Sequence, residues 1–501
     1  MTKKLHFDKT SFFFNTLIIL ITGFVIKALG LINRIFITRI LGSSGMTLYI
    51  MSFPTIMLFI NISCMGLNIT ISKLVSESIK TKQYSPKLLL KKAIQISLIT
   101  SIITITCFLA FLYPLTHFLL KNDNLFLPLL STVFLIPLVG ISDSLKGYFN
   151  GLKLMKYSSA ANLVEQIARI IFSITILYIT IPYGIKTATF FCLLSLSIGE
   201  LFSIIYSLIK IKKLKAINYT STTGELKAIL KICIPTTLSH LVGNFTYFLE
   251  PIVYVWILTI LNFQQSQIEE SYTIVNAFTI SLLTLGSFVS TALATTVVPS
   301  ISESNATNDI SKVNYFIKKT IIFSLIPGLF ITIILFFYPG EIMNFVYNTT
   351  KGASDVKKYV FFFLPYYLGV PLSAIYQALG KAKSLFRISS FFNILRILLI
   401  VLLSIIPSIN LNSLIIATFI TLILNFIVVF LKIKKLTSLN VSFHQSFNLL
   451  ITFVFCFMLV LFFDTINLNF YLSIIITFIV YIFVCYKFKL INIKSIVTKA
   501  S

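Results

Sequence analysis

Residues Ser11–Thr38 read SFFFNTLIILITGFVIKALGLINRIFIT, with Lys27 and Arg34 as the only charges. About 20 apolar residues are enough to cross a bilayer core as a helix, so this run predicts a membrane span. The same texture recurs along the chain and gives fourteen spans, the second near 47–72 and the last ending near 486. These runs are continuously apolar, whereas barrel strands would alternate apolar and polar residues. Composition agrees with that reading. The 501 residues are 57% hydrophobic and 11% charged, with a mean hydropathy of +0.95. A soluble domain carries about a quarter charged residues, so this chain cannot cover a water-facing globule. The expected fold class is therefore an all-α polytopic membrane protein of about 14 transmembrane helices.

The net charge is +26, from 41 Lys and Arg against 15 Asp and Glu. In a soluble protein that excess would suggest nucleic acid. Here 31 of the 41 cations fall in the two termini and the even-numbered connections, six on the opposite side, and four (Lys27, Arg34, Arg169, Arg396) inside spans. The positive-inside rule then places both termini in the cytoplasm of a multi-pass plasma-membrane protein, with membrane lipids and not nucleic acid as its surroundings. Lys3, Lys4 and Lys9 precede the first run and no small-residue cleavage site follows, so the run reads as a retained span. The six cysteines lie in apolar stretches without metal-ligand spacing and read as core residues. No Gly-rich phosphate loop, nucleophile elbow or His/Cys cluster occurs, and no loop is large enough for a catalytic domain. The expectation is a non-enzyme with no catalytic residues, no bound metal and no cofactor.

The chain also repeats in sixes. Span 2 closes on Ser76-Glu77-Ser78 and span 8 on Ser302-Glu303-Ser304. Span 4 runs into span 5 through Gly147-Tyr148-Phe149-Asn150-Gly151-Leu152-Lys153, with Arg169 further on. Span 10 runs into span 11 through Tyr376-Gln377-Ala378-Leu379-Gly380-Lys381, with Arg396 further on. Gly151 to Arg169 is 18 residues and Gly380 to Arg396 is 16, so this match needs a small gap. An offset of six spans keeps orientation and predicts a parallel repeat of two six-helix lobes facing a central cavity. The expected organisation is an N-lobe at 1–209, a cytoplasmic basic loop at 210–231, a C-lobe at 232–435, and accessory spans 13–14 with a tail at 436–501.

A cation inside a span costs roughly 2.5–3.5 kcal/mol on insertion scales, so it is expected to face a cavity or a partner. Lys27 and Arg34 are seven residues apart on one helix face, about 10 Å along the axis. Two cations with no acid on their span suit a phosphate or pyrophosphate, to which Arg offers two parallel hydrogen bonds and Lys a point charge. Arg39 either joins them or snorkels to the outer interface. Glu165 and Arg169 stand four apart, the order of an intrahelical ion pair. Arg396 has Asn393 one turn back and no acid, which leaves it for an anion or a headgroup. Glu250, in the span that repeats the first, could counter Lys27 or Arg34, carry a coupling ion (sodium or proton), or make a local hydrogen bond. Asp143 reads as an interfacial cap. The candidate substrate-binding residues are thus Lys27, Arg34, Arg39, Arg169, Arg396 and Glu250.

The first-span stretch Lys27-Ala-Leu-Gly30-Leu-Ile-Asn33-Arg34, running through Arg39-Ile-Leu-Gly42 and Gly45 to Tyr49, resembles the polysaccharide and lipid-linked-oligosaccharide exporters of the MOP superfamily. Within it the likeness is to lipid II flippases of the MurJ type. Gly147-Tyr-Phe-Asn-Gly151-Leu-Lys-Leu-Met155 with Glu165-Gln166 and Arg169, and Ala292–Glu303, are similar to the same family. The resemblance implies a fourteen-helix, two-lobe fold working by alternating access as a monomer. Its implied cargo is an undecaprenyl-pyrophosphate-linked glycan, lipid II being the expected one, moved to the outer leaflet for peptidoglycan or spore cortex. It also implies that first-span cations line the cavity. Lys27 stands at one such position, and Asn33-Arg34 covers the next with the arginine displaced by one. Gram-negative lipid II flippases carry further arginines in spans 2 and 8, where this chain has Cys64-Met65-Gly66 and Asn276-Ala277. Arg169 or Arg396 could compensate. Two rival readings stay open: a multidrug exporter of organic cations on the same fold, and a non-transporting factor in wall or spore assembly.

Overall fold

A computed structural model describes residues 9–214, 224–307, 309–439, 443–488 and 490. The middle of the expected basic loop, 215–223, and the tail beyond 490 lie outside the described residues. The described residues form helices and no strand. The longer helices are α1 (Lys9–Cys64), α2 (Leu67–Thr81), α3 (Pro86–Pro114), α4 (Thr132–Gly151), α5 (Met155–Thr180), α6 (Ile185–Lys212), α7 (Glu225–Ile260), α8 (Ser287–Ala306), α9 (Ile310–Phe337), α10 (Leu364–Tyr376), α11 (Ala382–Ser404), α12 (Ser413–Thr437), α13 (Phe443–Thr465) and α14 (Phe470–Lys487).

Twelve helical segments among the described residues are long and apolar enough to cross a membrane. Two of them are double length: Thr22–Ile79 at 58 residues and Phe361–Ser404 at 44. At 1.5 Å per residue these reach about 87 and 66 Å, against a hydrocarbon core of about 30 Å. Each is broken by a left-handed glycine, Gly42 (φ 65°) and Gly380 (φ 79°), so each has length for two crossings with a turn between them. The outer connection expected between spans 1 and 2 is thus a kink: α1 runs on through Gly42, and the chain next breaks at Met65-Gly66.

The chain divides into two compact units. Unit 1 runs to Thr273 and takes in Ile397–Leu414; unit 2 holds Ile274–Arg396 and the chain from Ile415. In unit 1, α4 lies against α2, α3 and α6, while α1 packs along α5 and α7. The core beneath joins Ile71 and Val75 of α2, Leu89 and Ala93 of α3, Leu145 of α4 and Cys233 of α7. Tyr254 donates its hydroxyl to the Leu411 carbonyl at 2.8 Å, tying the 397–414 segment into this unit. In unit 2, α8, α9 and α10 pack on one another around Ile301, Ile317 and Ile375. α13 and α14 pack against α9, where the Tyr481 hydroxyl donates to the Ile326 carbonyl at 2.7 Å.

The motif glycines of α4 are packing residues. A Cβ on Gly147 would stand 2.6 Å from the Asn68 carbonyl oxygen, and one on Gly151 would stand 2.7 Å from the Val75 Cβ. Both positions let α4 touch α2 backbone to backbone. Gly147→Ala gains about 1 kcal/mol of helix propensity, but its methyl meets a carbonyl that cannot rotate away, and overpacking of this kind costs roughly 1–3 kcal/mol. The clash wins: Gly147→Ala lowers the thermal unfolding temperature in detergent. Gly340→Ala, also helical but with nothing within 4 Å of the added Cβ, does not lower it.

Three sequence expectations change here. Cys107 is exposed and not a core residue, because it lies on the outward face of α3 near the exposed Ile102, Ile103 and Leu109. Asp143 does not cap a helix. It sits inside α4 and accepts a hydrogen bond from the Asn68 amide at 3.4 Å. Lys146, counted with the loop cations, is a buried residue of α4 with 6% exposure. The apolar surface runs past it to Gly151, so α4 carries it inside a spanning segment.

The repeat gains a register. The left-handed residue that turns α4 into α5 is Lys153 (φ 61°), and the one between α10 and α11 is Gly380. Each stands 16 residues before its arginine, Arg169 or Arg396, so from that turn onward the two halves align without the gap.

Candidate functional site

Lys27, Arg34 and Arg39 all lie on α1 ahead of the Gly42 break; Lys27 and Arg39 are exposed and Arg34 is half-buried. The neighbouring face of α1 is fixed on α5. Ser173 donates its hydroxyl to the Asn33 side-chain oxygen at 2.7 Å, and a Cβ on Gly30 would meet the Gln166 amide at 3.6 Å. The Asn33–Ser173 bond fixes α1 against α5 on this face, and the cations are left on the adjoining turns. Beyond the break, Tyr49 of the same helix is half-buried.

Arg169 makes the expected pair with Glu165 one turn back on α5. The pair is part of a larger network. The Lys146 ammonium lies 2.7 Å from the Glu165 carboxylate and 3.5 Å from Glu200 on α6. One cation thus bridges two helices to its own, and α4, α5 and α6 are held by charges with little contact with water. Removing any one partner of such a network would leave an uncompensated buried charge. Glu250 is buried on α7, with 3% exposure, in the same unit as Lys27 and Arg34. Arg396 belongs to unit 2, half-buried on α11.

Unit 2 has several concave features, of which two bear on binding. A cleft of about 340 Å³ between α9 and α13 is lined by Ile322, Leu325, Leu329, Leu449 and Phe453, with Lys318 and Gln445 as its only polar walls. A second, basic cavity lies at the ends of α11 and α12. Among the described residues no group of three or more His, Cys, Asp or Glu side chains is placed to hold a metal.

Helices of spanning length throughout the described residues, with cations embedded in them, define a multi-pass membrane protein. The chain belongs to the polysaccharide biosynthesis protein family, whose profile matches residues 13–305. The resemblance to the MOP superfamily drawn from the first-span motif holds. The chain is 32% identical to Stage V sporulation protein B of Bacillus subtilis (strain 168), over 75% of this chain and 74% of that protein. It is 24% identical to Lipid II flippase MurJ of the same organism, over 74% and 73% of the two chains. Its fold matches a solved structure of Lipid II flippase MurJ in an inward closed conformation with a TM-score of 0.70, at 17% identity, covering 94% of this chain and 98% of that one.

Proposed function

We propose that this chain is a flippase that moves an undecaprenyl-pyrophosphate-linked glycan, lipid II in the first instance, from the inner to the outer leaflet of the bacterial plasma membrane. The product would serve peptidoglycan or spore cortex synthesis. The observation that carries the reading is the pair Lys27 and Arg34, set inside a spanning helix that holds no acid within the span. A diphosphate is the ligand such a pair fits. Family membership and the flippase among the relatives point the same way. The apolar cleft between α9 and α13 has the lining that a long prenyl chain requires. In this cycle the diphosphate is taken from the cytoplasmic side, the site is alternately exposed to the two sides, and the lipid tail stays in the bilayer. No bond is made or broken. Both termini face the cytoplasm, and the chain acts as a monomer.

Expression in cells depleted of their own lipid II flippase tests this. Growth and labelling of lipid II on the outer surface should both return. Normal insertion with no return of surface lipid II would contradict the reading. Efflux of cationic dyes lost in Glu250→Ala would transfer it to the organic-cation exporters.

A further inference from the structure

The basic cavity of unit 2 has no part in the site on α1. It has a volume of about 610 Å³, and its walls carry Lys381, Lys383, Arg387, Lys432 and Lys435 with no acid among them. The local fold explains how five cations come together. Gly380 breaks the chain between α10 and α11, which places Lys381 at the turn and Lys383 and Arg387 one turn apart at the start of α11. Lys432 and Lys435 lie one turn apart at the end of α12. Tyr376, donating to the Ser384 hydroxyl at 3.0 Å, adds a polar wall between them.

The corresponding helices of unit 1 behave differently. There α5 and α6 pack along their lengths, whereas α11 and α12 meet in a core of Ile388, Phe392, Val429 and Ile433 and leave the basic cavity between their ends. Cations at the matching ends in unit 1 settle on aromatic rings: Lys156 lies 5.1 Å and Lys210 5.8 Å from the Tyr157 ring. Unit 2 therefore keeps its cations around an open space. In the same unit, Phe391 and Ile394 of α11 and Leu431 of α12 are exposed apolar side chains. A basic mouth on helices with apolar faces suits a ligand with several negative charges at one end and hydrocarbon at the other.

We infer that this cavity binds the headgroup of a lipid carrying two phosphates, with the lipid's chains lying along α11 and α12. A multiply charged headgroup balances five cations that no protein acid offsets. Ligand pockets of this volume are common, and basic pockets between spanning helices at the cytoplasmic face recognise such lipids. The inference stands apart from the flippase reading, because it uses none of the residues on α1.

The test uses the purified full chain, delipidated in detergent and titrated by native mass spectrometry with cardiolipin, phosphatidylcholine or inorganic pyrophosphate. Two variants are compared: Lys383→Gln/Arg387→Gln/Lys432→Gln/Lys435→Gln in unit 2, and Lys153→Gln/Lys156→Gln/Lys210→Gln/Lys213→Gln in unit 1. All eight residues lie at or next to helix ends, seven exposed and Lys210 half-buried, and thermal unfolding checks that both variants fold. Wild type should retain cardiolipin over phosphatidylcholine by about tenfold or more. The unit 2 variant should lose that preference and the unit 1 variant keep it. Pyrophosphate that displaces cardiolipin from wild type shows that the phosphates carry recognition. Pyrophosphate that binds through the same four residues while cardiolipin does not would overturn the lipid in favour of a free diphosphate. Equal losses in the two variants, or a loss in neither, would overturn the site.

Discussion

Replacing Lys27 and Arg34 together by Gln should abolish flipping while leaving the protein folded. Gln keeps a polar side chain and removes the charge, so the change falls on the ligand more than on packing. A hydrogen bond to a charged group contributes about 1.5–3 kcal/mol. Losing two would weaken diphosphate binding by about 10²- to 10⁴-fold, at about 1.4 kcal/mol per tenfold. The fold should not suffer, because a cation deep in a span costs free energy to insert and its removal relieves that cost. Arg39→Gln should have a smaller effect, since Arg39 lies three residues from the Gly42 break, at the end of the first helical run, where its long side chain can reach the interface. The check is surface exposure of lipid II in flippase-depleted cells at matched expression. Wild-type exposure in the double variant would remove Lys27 and Arg34 from the site.

The second large effect is on stability. Lys146→Met should leave little folded protein, because Glu165 and Glu200 would remain largely buried with only Arg169 near the first of them. Breaking a buried ion pair by removing one partner costs about 3–5 kcal/mol, a large share of the 5–15 kcal/mol by which folded domains are stable. The strain lies in the unpaired carboxylates and not in a lost shape, so adding Glu200→Gln to Lys146→Met should recover part of it. Size-exclusion profiles and thermal unfolding in detergent read both variants. A single variant as stable as wild type would show that the network holds nothing, and a double variant no better than the single would show that Glu200 is not part of it.

Sequence and structure agree where the signal is local. A spanning helix announces itself in about 20 consecutive residues because the bilayer leaves the backbone no other partner, so the helical class could be read directly. The Glu165–Arg169 pair, four residues apart on one helix, was visible for the same reason. Lys146 was not. Its two acids come from α5 and α6, and a lysine near the end of an apolar run looks like a loop cation until those helices are in place. Gly147 and Gly151 stood out as a motif, but that their purpose is contact with the backbone of α2 depends on a neighbour more than 70 residues away. The break of the repeat was legible as a glycine in unit 2 and hidden in unit 1, where Lys153 takes the left-handed turn against its own preference. The five cations of unit 2 appeared only as two loop clusters counted for topology. That α11 and α12 leave a cavity between them is a property of packing, which spacing does not encode.

The central claim is that this chain itself moves a lipid-linked diphosphate glycan across a bilayer by way of Lys27 and Arg34. Its most direct test is the purified protein in proteoliposomes with fluorescent lipid II, read as the fraction reachable by a membrane-impermeant quencher over time. The account predicts that wild type makes inner-leaflet lipid II reachable, that phosphatidylcholine is not moved, and that Lys27→Gln/Arg34→Gln behaves like empty vesicles. Folded, correctly inserted wild-type protein that moves no lipid II, or a double variant that moves it at the wild-type rate, would contradict the account.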